Sequence, residues 1–246
     1  EVDVLSEIEN SVRKVGGHYE VAVPWKDPDA FVPDNRRQAE ARLRSMAVKF
    51  QKNLPEFREY SDAIESYEAN GFAECVPTEE IDNALAPVFY LMHHSVFHPR
   101  KKSRRVVFNS AALYSGISLN GMVKKCPDLL ESLLGILLRF RFGRVAVAAD
   151  IQSFFHAVHT YPGDRDRHRY LWFTDETMSN FKVLRMVAHL MGGLSSQACS
   201  IAARDRSLDD AVELGRLSQE HSDEGKANFY SDDSLGSYES STTAIE

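Results

Sequence analysis

The run Val145-Ala146-Val147-Ala148-Ala149 carries no charge and closes on an acid, Asp150. Downstream, an adjacent pair, Asp232-Asp233, lies between Ala227-Asn228-Phe229 and Ser234-Leu235-Gly236. An uninterrupted apolar run of this length reads as a strand buried on both faces, so residues 144–150 are expected at the centre of a sheet. The segment around the acid pair reads as a β-hairpin with the carboxylates at its bend. If the two strands are neighbours, Asp150, Asp232 and Asp233 form a divalent-cation site of hard oxygen ligands, suited to Mg²⁺ or Mn²⁺. Successive strand residues point to opposite faces, so Asp232 and Asp233 cannot be equivalent ligands. Alone, an Asp-Asp pair reads more readily as a solvated turn; the apolar strand ending in Asp150 shifts that balance. Metals shared by carboxylates in this way suit phosphoryl transfer, where positioning and electrostatics do most of the work.

Charge is distributed in a way that fits. The net charge of −7 argues against indiscriminate nucleic-acid binding. Yet residues 98–144 hold ten Lys/Arg against two acids, and residues 206–246 hold ten acids against three bases. A basic stretch that grips phosphates and an acidic one that holds metal would produce this pattern; ordinary scatter is the other explanation. Apolar residues at 43% and charged residues at 26% are ordinary for a globular chain. No apolar stretch approaches the ~20 residues of a membrane span. Cys75, Cys126 and Cys199 are far apart, form no Cys-x-x-Cys, and read as buried small residues in a reducing compartment. The acidic start, without an initiator Met, suggests excision from a longer polypeptide.

Element by element, periodicity predicts a polar helix within 1–17 with a loop at Gly16-Gly17, and a strand over 18–25. Two helices follow, over 35–53 (with Ala39, Leu43, Met46, Ala47 and Phe50 on one face) and over 56–70, the latter stopped by Gly71. Strands are expected over 72–76, 88–97, 105–108, 170–173 and 183–187. A long apolar helix is expected over 127–142, a helix from Ser195 to about Gln219, and an exposed loop over 220–226. Helices and strands without regular βαβ alternation argue an α+β fold.

Several motifs, in order, resemble a reverse transcriptase of the BEL/Pao group of LTR retrotransposons. They are Tyr19-Glu20-Val21-Ala22-Val23-Pro24-Trp25, His93-His94-Ser95-Val96-Phe97-His98-Pro99, Arg105-Val106-Val107-Phe108-Asn109, Ser118-Leu119-Asn120, Leu137-Leu138-Arg139-Phe140-Arg141, Ala149-Asp150-Ile151-Gln152-Ser153-Phe154-Phe155, Gly192-Gly193-Leu194-Ser195-Ser196 and Tyr230-Ser231-Asp232-Asp233. The resemblance implies a polymerase right-hand fold: an N-terminal segment at 1–34, fingers with part of the palm at 35–143, and a palm with the catalytic aspartates at 144–246, the thumb being absent. It implies an RNA-directed DNA polymerase that adds deoxynucleotides to a primer on an RNA or DNA template, with the remaining pol regions (thumb, nuclease, integrase) as partners. The setting would be intracellular, in the cytoplasm or in a retrotransposon particle, with no membrane role.

By the same resemblance, Asp150 and Asp232 are the main metal ligands, assisted by the Ile151 backbone carbonyl, with Asp233 as the second acid of its box. Arg105 contacts the incoming triphosphate, an Arg fork suiting phosphate oxygens; otherwise it is a solvating charge at a sheet edge. One of Arg100, Lys101 and Lys102 stands over the triphosphate, unless all three are merely solvated. Phe155 falls at the sugar-selecting position, where a ring leaves no room for a 2′-hydroxyl, or else is a core aromatic like Phe154. Gly192 begins the small-residue segment under the nascent base pair, or else an ordinary loop before a helix. Three residues depart from the group's usual pattern: Asn109 for Asp, Gln197 for Pro and Ser231 for Val.

Two other functions compete. One is an inactive or truncated retrotransposon-derived module that binds nucleic acid or protein; the other is a metal-dependent phosphohydrolase using the same acids. The sequence has no Asp-Thr/Ser-Gly of an aspartic protease and no Gly-x-Ser-x-Gly elbow.

Overall fold

The computed structural model describes residues 2–82, 87–99 and 103–241. Helix α1 (Val2–Ser11) leads into a hairpin of β1 (Arg13–Val15) and β2 (His18–Val21). Gly16 and Gly17 turn it, at φ of 58° and 91°, in the region that favours glycine. Strand β1 escapes a sequence reading because its three residues are exposed and do not alternate. Helix α2 (Arg36–Phe50) buries Ala39, Leu43, Met46 and Phe50, as its spacing predicts. Helix α3 (Leu54–Ala69) is capped by the Asn53 side chain, which accepts the Glu56 N–H at 3.3 Å.

Then come β3 (Ala73–Cys75), the short α4 (Thr78–Ile81), β4 (Met92–His98), β5 (Ser103–Asn109), the short α5 (Leu119–Met122), α6 (Leu133–Arg139) and β6 (Val145–Asp150). After β7 (Val158–Thr160) and a 3₁₀ helix (Pro162–His168) follow β8 (Arg169–Phe173), β9 (Phe181–Met186), α7 (Ser196–Glu213), α8 (Gln219–Asn228), β10 (Phe229–Tyr230) and β11 (Asp233–Tyr238). Three small sheets have the orders β1-β2-β7, β3-β9-β8 and β10-β11-β6, and β4 and β5 form a hairpin of their own. The architecture is mixed α+β with largely antiparallel pairing. Among the described residues, no helix is long and apolar enough to cross a membrane.

The main core is aromatic. Trp172 of β8 stacks on Phe57 at 5.9 Å and tilts against Tyr60 at 4.6 Å, both from α3. Phe50 of α2 meets all three edge-on. A second, smaller core joins Ile8, Val21, Val158, Cys199 and Ala202, which packs α7 against α1, β2 and β7. The Tyr19-to-Trp25 segment is pinned by Asp164, which accepts the Val23 N–H at 3.0 Å and the Trp25 indole N–H at 2.6 Å.

Four sequence expectations are corrected. The helix expected over 127–142 is confined to Leu133–Arg139, because the Ser132 hydroxyl caps its start by accepting the Gly135 N–H; Leu133, Leu134, Leu137 and Leu138 remain exposed. Strand β6 is not buried on both faces: every residue but Val145 is exposed. It is the outer strand of a three-stranded sheet, with β11 as its only described neighbour. Residues 220–226 are not a loop but the body of α8, started by Ser218, whose hydroxyl accepts the His221 N–H at 3.1 Å. The cysteines are not all buried: Cys75 is exposed, Cys126 half-buried and Cys199 buried, all three as free thiols.

Four histidines are held neutral inside the fold. Burial pushes His93, His156 and His189 down to about 4 and His168 to about 3. His93 is further fixed by Tyr60 and by the Leu171 carbonyl, which its Nε2 contacts at 3.0 Å. In the unfolded chain a histidine titrates near 6.5. Between about pH 6.5 and 4 the unfolded chain therefore binds protons that the folded chain refuses, and stability falls as pH drops through that window. Thermal unfolding followed by calorimetry should show a Tm that is level above neutrality and declines steadily toward pH 4.5. A Tm unchanged across that interval would contradict the assignment of these histidines as neutral and buried.

Candidate metal and nucleotide site

The two acidic segments are neighbours. Strand β11 pairs antiparallel with β6 over six residues, and the register sets Asp233 directly opposite Asp150. Directly opposed residues of an antiparallel pair put their side chains on the same face. Asp150 and Asp233 therefore share a face, and like charges so placed repel unless something positive stands between them. Asp232 lies one residue earlier, in the two-residue turn between β10 and β11. Its carbonyl accepts the Ile151 N–H at 2.9 Å, which extends the pairing one step beyond Asp150. The two acids of the box are thus inequivalent: Asp232 is a half-buried turn residue and Asp233 an exposed strand residue.

The turn itself is strained. Ser231 has φ of +58°, a left-handed conformation unusual outside glycine. Helix α7 holds it from one side by residues two turns apart. The Gln197 amide donates to the Ser231 hydroxyl at 3.1 Å, and the Arg204 guanidinium donates to the Ser231 carbonyl at 3.3 Å while stacking over the Phe229 ring at 4.9 Å. Gln197 and Ser231, two of the three departures from the reverse-transcriptase pattern, are therefore partners of one another. The third, Asn109, accepts the Ala111 N–H at 3.2 Å through its side chain, a turn that Asp would make equally well.

Helix α6 holds the hairpin from the other side. Arg139 donates to the Asn228 side chain at 2.9 Å and to the Ala227 carbonyl, just before β10. The Ser237 hydroxyl accepts the Gly143 N–H and donates to the Arg139 carbonyl, both at 2.9 Å. Gly143 must be glycine for this contact, since a Cβ there would come within 2.5 Å of the Tyr238 backbone nitrogen. Sequence reading misses Arg204 and Asn120 as supports, because neither lies beside the acids along the chain. Asn120 accepts the Leu194 N–H at 3.0 Å and so fixes the segment that follows Gly192.

The nucleotide-side candidates lie on other elements. Arg105 is exposed on β5, and its charge reaches the Tyr67 phenol, whose pKa burial raises to about 12 while Arg105 lowers it. The Tyr67 ring packs on His156 at 5.0 Å, and Phe155, half-buried, follows Phe154 at 5.5 Å. Phe154 is a core residue. Gly192 (φ +90°) lies against the Phe108 carbonyl of the same strand β5. Arg100, Lys101 and Lys102 lie outside the described residues. No hydrogen bond or ion pair joins Arg105, Phe155 or Gly192 to the three aspartates among the described residues. A mixed-charge cavity of about 490 Å³, lined by Glu9, Arg204, Asp205, Asp209 and Lys226 among others, does not include Asp150, Asp232 or Asp233.

Among the described residues, no group of three or more His, Cys, Asp or Glu side chains is gathered to hold a metal ion. Two facing carboxylates nonetheless match what Mg²⁺ commonly takes from a protein, since it keeps its other positions for water and substrate phosphates. No protein-family model matches this chain, and no curated protein does either.

The Gln197–Ser231 contact predicts energetic coupling. In a double-mutant cycle of Gln197→Ala and Ser231→Ala, read by denaturant unfolding, the coupling should be roughly 0.5–1.5 kcal/mol. Additive effects would mean that the pair does not hold the turn.

Proposed function

We propose that this chain is the fingers–palm part of an RNA-directed DNA polymerase of the reverse-transcriptase type. One observation carries the reading: the β6–β11 register that sets Asp150 opposite Asp233, with Asp232 in the adjoining turn. Among the described residues no positive side chain forms an ion pair with Asp150 or Asp233, and a divalent cation held by these carboxylates would supply the missing charge. When bound, Mg²⁺ or Mn²⁺ would polarise the transferred phosphoryl group and lower the pKa of the attacking hydroxyl.

The chain's own residues do the positioning. Asp150 and Asp233, opposed across β6 and β11, would hold the cation face, with Asp232 in the adjoining turn. Arg105, exposed and without a described ion pair, is available to the triphosphate. Phe155 presents a ring five positions beyond Asp150 where a sugar lacking a 2′-hydroxyl would fit. Gly192, free of a side chain, lets a base pair approach the backbone. The primer–template, deoxynucleotides and remaining pol regions complete the proposed assembly.

A second reading is a nucleic-acid or protein-binding module without catalysis. Primer extension with Mg²⁺ or Mn²⁺ separates the two. The polymerase reading expects incorporation that falls by about 10²-fold or more in Asp150→Asn and in Asp232→Asn. It also expects Phe155→Ala to narrow the preference for deoxynucleotides over ribonucleotides. Incorporation that survives both acid substitutions would overturn it, and template binding without incorporation would favour the binding module.

A further inference from the structure

Helix α7 begins without a side-chain cap. Ser195 stands at its N-cap position, yet its side chain accepts no N–H from the first turn. The Gly193 carbonyl accepts the Ser196 N–H at 3.2 Å, and the Ser195 carbonyl accepts the Cys199 N–H at 2.9 Å. The Gln197 and Ala198 N–H groups between them have no partner among the described residues. Helix amides of the first turn point back along the axis, here toward the turn that holds Gly193, Ser195 and Ser196. Ser195, Ser196 and Ala198 are all buried, and a buried helix start requires something to accept its N–H groups.

A second orphaned group belongs to the same place. A cavity of about 10 Å³ is lined by Gly193, Ser195 and Ser196 at the start of α7 and by His168, Val23 and Leu119 from other elements. The His168 ring is 3% exposed, and its Nδ1, shut off from solvent, has no hydrogen-bond partner. Buried polar atoms are nearly always paired, so each exception needs an explanation. Because this nitrogen is interior, no further segment or partner chain can reach it. Size and chemistry name the occupant. A space of this size holds one water and excludes phosphate or an organic ligand. The helix amides require an acceptor. The His168 ring is neutral and offers no charge to an anion, since burial pushes its pKa down to about 3. Its Nδ1 accepts or donates a proton according to tautomer, and water answers either. We infer that one buried water caps helix α7, accepting a first-turn N–H and hydrogen-bonded to His168 Nδ1. It ties the 3₁₀ helix that carries His168 to the helix whose Gln197 and Arg204 hold the Ser231 turn. The inference is independent of the polymerase reading, since it uses only these buried groups.

A crystal structure of the chain at a resolution that shows ordered water tests it directly. One water peak is expected within about 3.2 Å of both His168 Nδ1 and the Gln197 or Ala198 amide nitrogen. In solution, nuclear Overhauser transfer from water to one of these amides should carry the sign of a long-lived bound molecule. Ser195→Ala should keep that transfer, since its source is water and not an exchanging hydroxyl. His168→Phe should lose both the transfer and the peak; should that variant not fold, the wild-type chain and Ser195→Ala decide the matter. No peak at this point overturns the proposal, as does a peak too strong for water, of the kind a halide gives. So does a side chain that turns in to pair with Nδ1, a transfer that vanishes in Ser195→Ala, or one that survives in His168→Phe.

Discussion

The antiparallel pairing of β6 with β11 is the interaction on which the rest of the site depends. Six residues of register decide that Asp150 meets Asp233, that Asp232 falls in the turn, and that Ile151 is tied to the turn through its N–H. A slip of one residue would move every side chain of β11 to the opposite face. The pairing also brings two carboxylates together, at a cost of a few tenths to about 1 kcal/mol. A fold accepts such a cost where a cation later offsets it, as the proposed metal would at this face.

The pairing is held by helices that flank the hairpin. A left-handed serine costs about 1–2 kcal/mol relative to ordinary backbone. Net contributions of roughly 0.5–1.5 kcal/mol per hydrogen bond mean that the Gln197 and Arg204 contacts together are of the size needed to offset it. Arg139 and Ser237 do the equivalent for the other end of the hairpin. The acid turn is thus a local strain fixed by distant residues, which is how a precise ligand geometry can persist on an exposed sheet.

Much of this was legible in the residues, and the exceptions have physical reasons. Helices α2 and α3 and strands β8 and β9 carry strong periodicity and stop signals, and they fall where the pattern places them. The neighbourhood of Asp150 and the acid hairpin was also readable, since an apolar strand ending in acid and an acid turn constrain each other. An apolar run does not reveal whether its strand is central or at an edge, so the exposure of β6 was hidden. Helix α8 is polar all round and has no apolar stripe to announce it; its cap and its Lys226–Asp209 contact hold it instead. Gln197 and Ser231 each read as an isolated oddity, because nothing in the linear chain shows that they meet. Right-hand architecture and catalysis rest on motif resemblance and on this one register.

Direct cation binding tests the central claim most closely, because it does not need a primer, a template or turnover. Titration of the chain with Mn²⁺, followed by electron paramagnetic resonance or calorimetry, should reveal a site weakened about tenfold or more by Asp150→Asn and by Asp233→Asn, with Asp175→Asn as the exposed control that leaves it unchanged. Equal Mn²⁺ affinity in the wild-type chain and in both β6–β11 variants would contradict the account.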